Sequence, residues 1–135
     1  MMDIRLLELE DYDNTLIKWW SDWKWDPPSI DFLPGNGTSG LMISEKGIDI
    51  CAGFVYLTNS KCAWCEFIVS NFEFKDKKKR KEAIELLICS LTDIAKDKGC
   101  KYVYTSLRNE SLINHYKTCG YQEGSKGCLE MVKII

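Results

Sequence analysis

Asn109-Glu110-Ser111-Leu112-Ile113-Asn114-His115-Tyr116-Lys117-Thr118-Cys119-Gly120-Tyr121 reads as a short helix with both ends marked. Asn109 is a capping residue one position before the helix, and Gly120 stops it. Tyr116 falls seven residues after the cap, near the helix end, where a phenol can reach from a scaffold into a cleft. An ordinary amphipathic helix with a glycine stop satisfies the same residues, so the rest of the chain has to decide what this one is for.

Working backwards, Lys101 to Leu107 is a strand, and Gly99 ends the longest helix, roughly 77–98. Asp76 caps that helix, and Ala83, Ile84, Leu87, Ile88, Leu91, Ile94 and Ala95 form its apolar stripe. Three strands precede it: Gly40 to Ser44, Ile48 to Thr58 and Cys62 to Val69, separated by turns at Glu45-Lys46-Gly47 and Asn59-Ser60-Lys61. Strict alternation in the third puts Trp64, Glu66 and Ile68 on one face and Cys65, Phe67 and Val69 on the other. Residues 2–9 form a first strand. Leu16, Trp19, Trp20 and Trp23 then share one helical face, and Asp26-Pro27-Pro28 opens a loop over 26–38. Beyond Gly120, Tyr121-Gln122-Glu123 and Leu129 to Ile135 are predicted as two final strands. The order is strand, helix, three strands, long helix, strand, helix, two strands, which is a mixed α/β layer fold. A chain of 135 residues suits one domain, 1–135.

A net charge of −2 argues against a protein devoted to nucleic acid. No apolar run approaches a membrane span, and the acids in Met1 to Glu10 exclude a signal-peptide core, so a cytoplasmic protein is expected. Seven Cys, an odd number scattered through apolar segments, read as reduced, buried thiols. Cys62-Ala63-Trp64-Cys65 opens a strand instead of a helix and lacks a second ligand pair, so no metal is assigned to it.

The order of elements, together with Gly53-Phe54-Val55-Tyr56, Trp64 to Val69, 76–99 and 109–121, resembles the GNAT superfamily of acetyl-CoA-dependent N-acetyltransferases. Asn109, Tyr116, Gly120 and Tyr121 match its Asn-x-x-(small or apolar)-x-x-x-Tyr-x-x-x-Gly-(Phe or Tyr) helix. The chain is similar in particular to compact GNAT-like proteins encoded by bacteriophages. The resemblance implies a single-domain GNAT fold, with a mixed, mostly antiparallel sheet flanked by helices and a parallel strand pair that splays apart. Acetyl-CoA is the implied cofactor, its pantetheine arm along the backbone of Phe67, Ile68 and Val69. Tyr116 is the implied acid for the departing thiolate. Asn109 caps its helix and contacts the cofactor, and Glu66 is the base, with a water chain as the alternative. The lone His115 belongs at the solvent or rim. Trp25, Asp31 and Phe32 line the acceptor side or pack the loop over a sheet edge.

The chain departs from the family at the start of the long helix. The pattern there is (Arg or Gln)-x-x-Gly-x-(Gly or Ala), and this chain has Lys77, Lys78, Lys79, Arg80 and Lys81, with Lys79 and Lys81 in the glycine positions. Cations at a helix N-terminus oppose its dipole by about 0.3–1 kcal/mol each unless an anion offsets them. Either the run holds the phosphates of CoA by charge, or it is a solvated helix start. Nucleic-acid phosphates are a weaker third option. The implied reaction is direct attack of a primary amine, on a small molecule or a protein, in a ternary complex. Its rival is a GNAT-like protein without catalysis that binds a host factor or nucleic acid. A homodimer through the final strand or the Trp-rich surface fits either.

Overall fold

The tight turns decide the centre of the sheet. Lys46 and Gly47 both take left-handed φ, 52° and 78°, a two-residue hairpin that returns the chain beside itself. In the computed structural model, which describes residues 1–135, one five-stranded sheet has the order β1-β2-β3-β4-β5. Its strands are β1 (Asp3–Leu6), β2 (Gly40–Glu45), β3 (Ile48–Tyr56), β4 (Cys62–Ser70) and β5 (Tyr102–Tyr104). The first four pair antiparallel, and β5 lies parallel to β4.

Helices cover both faces. The continuous helical stretch 9–22 consists of α1 (Leu9–Asp11), a π-helical turn (Tyr12–Leu16) and α2 (Ile17–Asp22). It buries Leu16, Trp19 and Trp20 with Met42, Ala52, Phe54 and Val69 on one face of the sheet. The crossover helix α3 (Lys77–Asp97) buries Ala83, Ile84, Leu87, Ile88, Leu91 and Ala95 on the other. Each fully buried Leu, Ile or Phe contributes about 1.5–3 kcal/mol, so these two stripes hold the layers together. The last helix, α4 (Glu110–Thr118), packs beside α3 with Tyr116 inward. No helix is long and apolar enough to cross a membrane.

The first helix is braced to β1. Arg5 donates to both carboxylate oxygens of Asp11, at 2.8 and 2.9 Å, and the Glu8 N–H donates to the same group at 2.7 Å.

The structure corrects three expectations. The alternation along β4 breaks at Phe67, whose φ is +58°. Phe54 pairs with Glu66 and Ala52 with Val69, so Gly53 faces two residues of β4 where one belongs. This bulge puts Cys65 and Ile68 against α3, and Phe67 and Val69 on the Trp side. Gly53 leaves room for it: a Cβ there would sit 2.4 Å from Ile68 Cδ1 and would push that methyl aside. Second, neither final strand forms. Residues 122–135 are irregular, exposed and without backbone hydrogen bonds. Third, the cysteines are not uniformly buried: Cys51 and Cys65 are, whereas Cys89 and Cys128 are exposed. Cys62 and Cys65 point to opposite faces of β4, as residues three apart on a strand must, so the pair cannot act together.

Candidate active site

β4 and β5 are joined only at Cys62–Tyr102, Ala63–Val103 and Trp64–Tyr104. β5 stops at Tyr104, while β4 runs on to Ser70. Beyond Trp64 the edge of β4 therefore has no neighbouring strand, and its main-chain groups on that side lack ladder partners. The bulge at Phe67 lies in this unpaired half.

The gap opens into a cleft of about 770 Å³. Glu66, Phe67 and Ile68 line it from β4, Thr105 to Arg108 from the segment after β5, Asn109 and Tyr116 from α4, and Trp20 and Trp25 from the first helical layer and its loop. Six of the residues singled out in the sequence thus meet in one cleft: Trp25, Glu66, Phe67, Ile68, Asn109 and Tyr116. Val69 does not line it; its side chain is buried in the Trp-side core.

Tyr116 forms part of the floor. It is 1% exposed, far less open than a phenol reaching into solvent. Its hydroxyl donates to the Cys65 carbonyl at 3.1 Å and lies 3.3 Å from Cys65 Sγ, and Tyr121 packs edge-on at 4.9 Å between ring centroids. Burial, then the neighbouring Cys65, push its pKa well above the ordinary range. The phenol keeps its proton at physiological pH and so has one to give.

Glu66 spans the gap. Its Oε1 accepts from the Ser106 N–H at 2.6 Å and from the Thr105 hydroxyl at 3.0 Å. Burial raises its pKa, and these two hydrogen bonds pull part of the way back. Thr105, Ser106 and Cys65 are the site residues that sequence reasoning missed. Nothing local marks these roles, because each arises from a partner 39 to 51 residues away. Asn109 caps α4 through its side-chain oxygen, which accepts from the Leu112 N–H at 3.1 Å. Of the acceptor-side residues, Trp25 lines the cleft. Phe32 packs edge-on against Phe67 at 5.8 Å, and Asp31 accepts from the Ser29 hydroxyl. His115 is not at the rim: its Nδ1 lies 2.9 Å from Glu85 on α3.

The basic run at the start of α3 lies outside the cleft and is largely engaged within the fold. Lys79 pairs with Glu45 at 2.6 Å, and Lys81 with Glu85 at 3.3 Å. Arg80 donates to the carbonyls of Asn71 and Phe74 and lies over the Trp23 ring, fastening the loop between β4 and α3. Lys77 and Lys78 make no ion pair. The Asp76 carboxylate takes the Lys79 N–H at the helix start.

No family model and no curated protein matches the sequence. Solved structures match its shape along almost the whole chain. A GNAT family acetyltransferase from Staphylococcus aureus superposes with a TM-score of 0.61 at 17% identity, covering 97% of this chain and 98% of its own. The chain has the GNAT fold. Other proteins of that fold align as well. The ribosomal-protein-S18-alanine N-acetyltransferase of Escherichia coli gives a TM-score of 0.67 at 16% identity over 93% of this chain and 80% of its own. The aminoglycoside acetyltransferase AAC(6')-Iy, solved with a CoA-containing bisubstrate analogue, gives 0.66 at 17% over 99% of each. Within the GNAT fold, the unpaired half of β4 and the helix carrying Tyr116 are the parts that frame the cleft.

Proposed function

We propose that the chain is an acetyl-CoA-dependent N-acetyltransferase that acts on a primary amine by direct attack in a ternary complex. One observation carries this reading: Tyr116 and Glu66 converge on the gap where β4 leaves β5. The fit to a CoA thioester divides between two places. The free edge of β4 suits an amide-bearing pantetheine chain, since both sides bring N–H and C=O groups that need partners. The start of α3 suits a pyrophosphate less well, because it has no glycine and Asp76 already caps it. Lys77 and Lys78 remain to supply charge.

When bound, acetyl-CoA supplies an activated acetyl group and a thiolate leaving group. Glu66, its carboxylate made more basic by burial, takes the proton from the attacking ammonium. Tyr116 holds its proton on Oη until the thiolate leaves, then donates it. To do so the phenol gives up its bond to the Cys65 carbonyl, 3.1 Å away. Phe67, Trp20 and Trp25 exclude water from the reacting end. An aminoglycoside and an alanine of ribosomal protein S18 are acceptors of proteins with this fold by their names, and an amine acceptor here rests on that analogy.

A second reading has a specific observation behind it. The glycine-less, Asp76-capped helix start favours a GNAT-like binding protein without catalysis, of the kind bacteriophages encode. Calorimetry with acetyl-CoA and CoA separates the two. Lys77→Glu/Lys78→Glu is the suitable control, since Lys79 and Arg80 hold the fold. Micromolar binding weakened at least tenfold in the double variant supports the enzyme. No binding up to millimolar concentration supports the second reading.

A further inference from the structure

A second group of reactive side chains gathers away from the cleft, on the seam between α3 and α4. Four-residue spacing places Glu85 and Cys89 on one side of α3, and His115 and Cys119 on one side of α4. The two sides meet. His115 Nδ1 is 2.9 Å from Glu85 Oε2, and Cys119 Sγ is 3.3 Å from the Glu85 carbonyl oxygen. In an α-helix that carbonyl also accepts the Cys89 N–H. The Cys119 sulfur therefore sits on the helical turn that carries Cys89. Cys89 is exposed to reagents and Cys119 is half-buried behind it. Further along the same seam Thr92 and Tyr121 share a hydrogen bond of 2.6 Å, so the two helices are held in register.

We propose that Cys89 and Cys119 are an oxidation site, closing a reversible disulfide between α3 and α4 when the protein meets a low-molecular-weight disulfide of the glutathione type. The exposed Cys89 thiolate attacks one sulfur of the reagent; its S–S bond breaks and one small thiol leaves with the electron pair. The Cys119 thiolate then attacks the Cys89 sulfur and displaces the second small thiol. Two protein thiols lose two electrons, the small disulfide gains them, and the two protein protons end on the released thiols. Burial, then the neighbouring Cys89, push the Cys119 thiol up to about 12. Both steps consume a thiolate, so closure accelerates with pH, by up to about tenfold per pH unit while the attacking thiol is mostly protonated. Cys119 stands three residues after Tyr116, so the bond fixes the end of the helix that floors the cleft. The inference does not depend on the acetyltransferase reading.

The test is to incubate the full chain with oxidised glutathione, block the remaining thiols by alkylation, and map peptides by mass spectrometry. The expected result is a linked Cys89–Cys119 peptide that a dithiol reverses. It should form about tenfold faster at pH 8 than at pH 7, and raise the melting temperature by about 5–10 °C. Cys119→Ala should stop at a glutathione adduct on Cys89. Cys89→Ser should leave Cys119 free, and circular dichroism checks that both variants fold. Three results would overturn the proposal: a lasting Cys89 adduct in the wild type, a linkage to Cys100 or Cys128 instead, or unreacted thiols at both positions.

Discussion

At the scale of single residues, Tyr116 is held by its buried ring and by one hydrogen bond to the Cys65 carbonyl. Tyr116→Phe keeps the ring and removes only the hydroxyl. It should lower kcat by about 10²–10⁴ under steady-state assay while leaving CoA affinity within twofold. The lost bond should cost about 1 kcal/mol in urea unfolding. Asp11 gives a pH signature. The hydrogen bonds from Arg5, set against burial, hold its pKa below the usual carboxylate value. A depressed folded pKa means the stabilisation is fully present above the unfolded value of about 4 and is lost as pH falls through the folded one. Asp11→Asn should therefore destabilise the protein at pH 7 but bring progressively less loss as pH falls below about 4, read from urea midpoints across the acid range. The resemblance singled out Tyr116 and Glu66, and spacing along one helix and one strand is what survives folding. It did not show that the phenol turns inward, nor that Thr105 and Ser106 hold Glu66, because those contacts join separate parts of the chain.

At the scale of elements, the bulge in β4 decides the geometry of the cleft. Gly53 eases it, since a Cβ there would press on the Ile68 side chain packed against α3. Gly53→Ala should cost about 1–3 kcal/mol by urea denaturation and weaken cofactor binding along with it, because the bulge and the cleft wall are one piece of backbone. Reading β4 as a strict alternation put Ile68 on the wrong face. A period of two carries no sign of an extra residue; the sign lay in Gly53, on the opposite strand. The α3 stripe was fully legible, because a long amphipathic period leaves little choice of buried face. The final strands were misread for the opposite reason. Leu129 to Ile135 has strand-forming residues, but a strand needs an edge to pair with, and local composition does not supply one.

At the scale of the molecule, stability is unevenly spread. The two cores on either side of the sheet enclose β2, β3, β4 and α3, whereas 122–135 contributes no backbone hydrogen bond and leaves Leu129, Met131, Val132, Ile134 and Ile135 exposed. Limited proteolysis followed by intact-mass measurement should cut first within 122–135 and leave 1–121 resistant. An early cut inside 23–39 instead would show that the loop over the Trp cluster is the weaker part. The overall order of layers was legible because each helix stripe and each turn is a local signal. The cleft arises where two strands cease to pair, which no local signal marks, and it was expected only through the resemblance.

The half-open edge of β4 has a consequence for how this protein can be recognised at all. A molecule lying in that gap is gripped by peptide groups, which every residue except proline supplies alike. Such a site is written in an alphabet of one letter. Side chains along it can be exchanged without rewriting it, provided the bulge and the parting of β4 from β5 persist. Shape can therefore outlast spelling, and a fold shared with many acetyltransferases can sit beneath a sequence that has kept few of their letters.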